Sequence, residues 1–268
     1  MNRIRRSAVA ATLPTAALPT AALLAGSLAL ALSLGAGSTA VAQRSPAAAP
    51  NVQLVAESSA STAARAAAAP FAKLSPNQIK KSSIAVARKA SSYHAVGYST
   101  FSKVRYDFDL VLGRNSSVGG LAWPQKGIGV VSAGFVRIGA TIYLQPDANL
   151  WKYYGAADPA ALDGTWIKLR PGSQTYNAIA AWTTFNSLLT DIEREPVSKR
   201  IKGITLGGTP TVGLNQPGKH GGTIYVAASG PAYPRYAIWT DKTNRFALLD
   251  WNQPVNAEAP SADKVVAE

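Results

Sequence analysis

Two histidines, His94 and His220, and one close pair of carboxylates, Asp107 and Asp109, are the side chains with most chemical reach in this sequence. The histidines stand far apart and there is no cysteine in the chain. A zinc site would need carboxylates to complete it, and none stands at a recognisable ligand spacing. Disulfides, thiolate catalysis and cysteine metal sites are excluded together. Asp107 and Asp109 fall on the same face of a strand, where two carboxylates could act as acid and base on a glycosidic bond. The simpler reading is the wet face of a sheet. No serine sits in a G-x-S-x-G elbow, because Ser132 has Val130 where the first glycine belongs. No phosphate-cradling glycine loop occurs. These residues point to a non-enzymatic protein without a cofactor or a metal.

Aromatic rings are the other chemical resource, with 6 Trp, 10 Tyr and 6 Phe. Trp151, Tyr153 and Tyr154 stand together, followed by Trp166 and then by Trp182 and Phe185. They either pack an ordinary core or line an apolar cavity, since such rings suit a site with one apolar end and one wet end.

The elements that must position these side chains follow from periodicity. Ser75-Pro76 reads as a helix start, with Ser as the cap and Pro at the first helical position. Apolar residues at loosely helical spacing carry that helix to about Ser91. From 104 to 112 the period becomes two: Val104, Tyr106, Phe108, Leu110 and Leu112 point one way, and Arg105, Asp107 and Asp109 the other. Further strands fit 93–100, which holds His94, then 117–123, 127–138, 141–144 and 166–169. Short helical turns fall near 149–154 and 158–162. A second helix spans 174–192 with Ile179, Trp182, Phe185, Leu188, Leu189 and Ile192 on its apolar side, and Pro196 stops it. Strands return at 209–214, 223–229, 235–240 and 245–250, with His220 in a Gly-rich turn. Helix, strands, helix, strands is an α+β order built on a large antiparallel sheet, which must curl and be covered by the helices.

The two ends have different compositions. Residues 1–42 read as an export signal: Arg3, Arg5 and Arg6 precede an apolar stretch that is densest from 21 to 34. Ala40-Val41-Ala42 is a small-x-small cleavage site; an uncleaved anchor is the competing reading. Residues 43–73 are rich in Ala, Ser and Pro and read as a flexible tether. The folded domain is expected over 74–259, and 260–268 as a loose tail. The net charge of +13 falls to about +10 without the three signal arginines. Such a charge favours an anionic membrane or cell-wall surface. Nucleic acid is disfavoured by the export signal and by the lack of a dense Lys/Arg cluster. Arg194, Lys199, Arg200 and Lys202 form the densest basic group and read as a solvated loop.

Several motifs, in order, resemble the LppX/LprG group of actinobacterial envelope lipoproteins. Gly222-Thr223-Ile224-Tyr225-Val226-Ala227 with Gly230-Pro231-Ala232-Tyr233-Pro234 is similar to a strand and turn of that group. So are Ile142-Tyr143-Leu144 with Trp151, Gly164-Thr165-Trp166-Ile167-Lys168, and the closing Leu249-Asp250-Trp251-Asn252 with Pro254-Val255. The resemblance spans about 75–260. It implies a LolA-like fold, a curled antiparallel half-barrel with helices on its concave face. It also implies an apolar cavity for the acyl chains of a lipid or acylated glycolipid, in a monomeric carrier of the cell envelope. On that expectation the lining would come from Val104, Tyr106, Phe108, Leu110, Leu112, Tyr143, Trp151, Trp166, Trp182, Phe185 and Leu189. A wall-polymer or protein-binding module with a packed core is the alternative. The sequence departs from the group at the anchoring cysteine, which is absent: Gly37 stands in the corresponding small-residue segment.

If the signal is cleaved as read, N-terminal sequencing of exported protein should begin at Gln43. A membrane-retained chain still carrying Arg3 would contradict the reading.

Overall fold

The computed structural model describes residues 71–194, 196–218, 221–239 and 243–268. The export signal, most of the tether and His220 lie outside the described residues.

Helix α1 (Pro76–Ala87) starts as its sequence dictates. The Ser75 side chain accepts from the Gln78 backbone N–H, and the Gln78 side chain accepts from the Ser75 N–H. This reciprocal box satisfies two of the donors that every helix start leaves open. Five antiparallel strands follow as a meander: β1 (Ser92–Phe101), β2 (Val104–Gly113), β3 (Ser116–Gln125), β4 (Gly129–Ile138) and β5 (Thr141–Pro146). A short helix α2 (Ala148–Tyr153) leads to β6 (Trp166–Lys168). Helices α3 (Gln174–Thr183) and α4 (Ser187–Arg194) come next. A second meander is made of β7 (Lys199–Ile201), β9 (Thr209–Gln216), β10 (Gly222–Ala227), β11 (Pro234–Trp239) and β12 (Asn244–Leu249), with the two-residue β8 (Thr205–Leu206) folded back on β9.

The two meanders join where β1 pairs with β12, from His94 opposite Leu249 to Ser99 opposite Asn244. One open sheet results, with β7 at one edge and β13 (Val265–Ala267) at the other. Its inner-face residues, from Ile142 and Leu144 on β5 to Leu214 on β9, fall in one apolar cluster with Ile79 and Ile84 of α1, Ile179 of α3 and Leu188, Leu189 and Ile192 of α4. A sheet whose distant strands share one core with helices on a single face is the curled half-barrel expected from the sequence. A glycine lets two strands of the sheet approach closely at the seam. Gly97 has φ +155°, and a Cβ there would lie 2.1 Å from the Arg245 carbonyl oxygen. With no side chain at Gly97, the rings of its two cross-strand neighbours, Phe108 and Phe246, approach to 6.0 Å.

Three expectations need correction. The second helix does not run through 174–192; it breaks at Thr184, which is extended (φ −83°, ψ 140°). The Thr183 carbonyl accepts from Ser117 Oγ (2.8 Å) and from Arg137 Nη1 (3.0 Å). The Phe185 carbonyl accepts from the Tyr93 hydroxyl at 2.8 Å. Donors on the sheet thus stand in for the intrahelical bonds lost at the break. The tail is not loose: β13 pairs in parallel with β6, and the Glu268 side chain accepts from the Arg170 N–H and the Ser173 hydroxyl, each at 2.7 Å. Finally, the folded region begins before Leu74. Phe71 is buried in the main core, and its carbonyl, like that of Leu74, accepts from Arg200. Arg200 is therefore half-buried and structural, whereas Lys199 and Lys202 are exposed.

Replacing Phe71 with Ala should cost about 3 kcal/mol in urea unfolding, the usual range for a buried ring. A loss below about 1 kcal/mol would show that the core closes without it.

Candidate functional site

The inner face of the sheet is unevenly filled. At one end, where β2 turns into β3, Leu110 and Leu112 are fully buried. They share this end with Tyr93, Phe185, Leu188, Leu189 and Ile192 in a packed core. Tyr93 meets the Phe185 ring edge-on at 5.3 Å and the Trp251 ring at 5.0 Å. Burial raises the Tyr93 pKa far above that of an ordinary phenol, so its hydroxyl remains a donor to Phe185.

At the other end, marked by the β1–β2 and β3–β4 hairpins, the face is only half covered. Val104, Tyr106, Trp123, Ile128 and Trp182 are all half-buried there. Tyr106 lies in line with Trp123 across β2 and β3, with ring centroids 5.9 Å apart. Trp182 of α3 reaches down to Tyr106 at 6.0 Å and to Phe108 at 5.6 Å. Phe108 meets Phe246, which meets Trp239 at 5.6 Å. Six rings, Trp123, Tyr106, Trp182, Phe108, Phe246 and Trp239, thus form a continuous arc from β3 across the sheet to β11. Partial burial raises the Tyr106 pKa, as expected of a hydroxyl at the boundary between apolar surface and water.

Of the residues expected to line a cavity, Val104, Tyr106, Phe108, Leu110 and Leu112 all face inward on β2, as their alternation requires. Trp182, Phe185 and Leu189 come down on them from α3, the break and α4. Tyr143 and Trp166 do not join them. On β5 the buried residues are Ile142, Leu144 and Pro146, so Tyr143 points to the convex side. Ile167 stands opposite Leu144 in the inner layer, which turns Trp166 outward as well. A strand puts alternate side chains on opposite faces, so neither position could join Ile142 and Leu144. Trp151 is buried outside the main cluster, against the Tyr154 ring at 6.3 Å. Trp123, Phe246 and Trp239 belong to the arc but are not among the residues expected from the sequence. Their signal is present in it: Trp239 and Phe246 each alternate with outward-facing neighbours in the last two strands.

The residues weighed for catalysis are placed on the convex face. Asp107 is bound by Arg105 (2.5 and 3.0 Å). Asp109 accepts from His94 at 2.7 Å, and Asp250 lies 3.2 Å from the other ring nitrogen of His94. Each aspartate is thus matched to a cationic or donor group rather than paired with the other. His94 ties β2 and the end of β12 to β1, across the seam that joins the two meanders. Ser132 is also structural, donating to Asp147, whose other oxygen caps α2. Among the described residues no group of His, Asp and Glu is arranged to hold a metal ion, and no helix is long and apolar enough to cross a membrane.

An open depression of about 330 Å³ lies at the packed end, lined by Ser91, Arg114, Asn115, Ser116 and Gln253 among others. Its walls are mostly polar, and it is separate from the aromatic arc.

No protein-family model matches this sequence, and no curated protein matches it. An unclosed antiparallel sheet with helices on one face defines a LolA-like fold. The structure is similar to that of LprF from Mycobacterium bovis, an LppX/LprG-type protein, with a TM-score of 0.50 and 17% identity. The match covers 70% of this chain and 97% of that one. An uncharacterized conserved protein from Thermus thermophilus aligns with a TM-score of 0.32 and 7% identity, over 68% of this chain and 94% of that one. The fold implied by the sequence motifs is the fold found in the LprF match.

The His94 cluster sets a pH dependence. The hydrogen bond to Asp109 raises the His94 pKa above its usual value, burial opposes this, and Asp250 adds to the rise. A pKa raised on folding stabilises the fold fully below about pH 6.5, and the contribution fades as pH climbs through the folded value. Melting temperature should therefore fall as pH rises above about 6.5, and His94→Gln should flatten that decline. An unchanged profile in the variant would remove His94 from the seam.

Proposed function

We propose that this chain is a non-enzymatic lipid-binding carrier of the cell envelope that buries acyl chains against the aromatic arc, between the sheet and α3. One observation carries the reading. The core is closed at one end and half-covered at the other, and the half-covered end is lined by rings and branched apolar side chains. An ordinary packed domain covers such a surface. Burying it with an acyl chain stabilises the complex by roughly 0.8 kcal/mol for each methylene removed from water.

The charge pattern suits the same ligand. Lys103 and Lys126 are exposed at the tips of the β1–β2 and β3–β4 hairpins, which flank the open end. They are placed to meet an anionic headgroup or membrane surface while the chains lie inside. The fold of LprF agrees with a carrier of this kind. An extracytoplasmic location follows from the export signal read in the sequence. The ligand is read as a lipid or acylated glycolipid, and the carrier as a monomer.

Quenching of the tryptophans by a brominated fatty acid tests the reading. Trp123, Trp182 and Trp239 should be quenched and Trp166 should not. Trp182→Phe should therefore remove much of the signal change, and Trp166→Phe little of it. Equal quenching loss in both variants would place the chain outside the arc, and no saturable quenching would contradict binding.

A further inference from the structure

Gln216 is the one amide side chain buried in the inner face without a partner among the described residues. It is 3% exposed, and neither its Oε1 nor its Nε2 has a hydrogen-bond partner there. Its described neighbours on the inner face are apolar. Leu214 precedes it on the same face of β9, with Ile224 opposite Leu214 on β10. Gln216 stands opposite Gly222, and Gly222 stands opposite Trp239. Gly222 has no side chain to separate them, and none would fit, since a Cβ there would lie 2.0 Å from the Ile238 carbonyl oxygen. Gln216 thus lies at the end of the aromatic arc, two strand positions from Trp239, at the half-covered end of the core.

An amide closed off from water leaves two donors and an acceptor unsatisfied, which is costly in a chain with no use for them. Hydroxyls such as those of Ser83 and Thr183, also without partners, can turn to carbonyls of their own helices. An amide at the end of a strand has no such local outlet. The arrangement makes sense if a ligand supplies the partners. Resting on the carrier reading above, we infer that Gln216 is the polar recognition group of the site: its Nε2–H donates to the carbonyl of an acyl ester, and its Oε1 accepts from a neighbouring hydroxyl. The ligand class is then an acyl ester of glycerol or of a sugar, with a free hydroxyl beside the ester linkage. The rings hold the chain and Gln216 reads where the chain is attached. A site built to satisfy a hydrogen-bonding group discriminates strongly against an analogue that lacks it.

The test compares two probes with the same chain length and the same glycerol hydroxyls, 1-monopalmitoylglycerol and its ether analogue 1-O-hexadecylglycerol, which has no carbonyl. Each is titrated into wild-type protein and into Gln216→Leu and Gln216→Met, and melting temperatures are taken without ligand. Wild type should prefer the ester by about 10-fold, the worth of one buried hydrogen bond. Both variants should bind the two probes equally, and the ether more weakly than wild type does because the hydroxyl contact to Oε1 is lost as well, and should melt at or above the wild-type temperature. Equal binding of both probes by wild type, or an ester preference that survives in the variants, would overturn the inference and leave the carrier reading standing. Failure of both variants to fold would make Gln216 structural and also overturn it. If wild type takes up neither probe, the carrier reading falls and this inference falls with it.

Discussion

The structure depends on how a short helical cover is fixed to a long sheet. The inner face runs from β6 to β7, and under the helices Val104, Tyr106, Trp123 and Ile128 are left half-buried. The position of the helices is set where the cover is weakest, at the break between α3 and α4. Ser117, Arg137 and Tyr93 reach up from three strands and donate to the carbonyls of Thr183 and Phe185. Each bond contributes only about 1 kcal/mol net, but each carbonyl would be expensive to leave bare in the core. The break therefore fixes α4 over the packed end, with Leu188, Leu189 and Ile192 pressed into it. It also holds α3 so that Trp182 hangs over Tyr106 and Phe108. A continuous helix could not satisfy both faces, because the three donors would have lost their acceptors to the helix itself.

The division of the core into a closed and a half-open end follows from that fixing. Strand β2 shows it within one element: Leu112 and Leu110 are fully buried, Phe108 nearly so, and Tyr106 and Val104 only half. The seam between β1 and β12 crosses the same gradient. On its inner side Gly97 lets Phe108 and Phe246 approach each other, and on its outer side His94 ties Asp109 to Asp250. A smaller apolar layer of Val96, Tyr236 and Ala247 lies on that outer side, with Leu206 of β8 folded against it. Both faces of the seam are therefore fastened, which lets the sheet curl there without opening.

Much of this is legible in the residues themselves. Alternation along 104–112 gives the correct faces for five inward side chains, and Ser75-Pro76 gives the cap of α1. What escapes depends on distant partners. The run 174–192 is helical by composition, and only the donors at Ser117, Arg137 and Tyr93, far away in sequence, explain its break. Tyr143 and Trp166 group with the lining by aromatic type and family motif, whereas strict alternation from Ile142 and Leu144 places them outside. Phe71 is hidden in an Ala-rich stretch whose composition resembles a tether. The pairing of Val265–Ala267 with β6 leaves no local signal, since three small or branched residues near a chain end fit a loose tail equally well. Gln216 lies just past the strand expected at 209–214; the structure extends β9 to it, and only there does its lack of a partner show.

The central claim is that the half-covered end of the core exists to hold a lipid. Organic extraction of the intact purified protein, followed by mass spectrometry and compared with an equal amount of a Trp182→Ala, Phe108→Ala double variant checked for folding, addresses it most directly. Wild type should release an acylated lipid in near-stoichiometric amount, and the folded variant should release little. Wild-type protein that releases no lipid, and that takes none up from vesicles of anionic phospholipid, would contradict the claim.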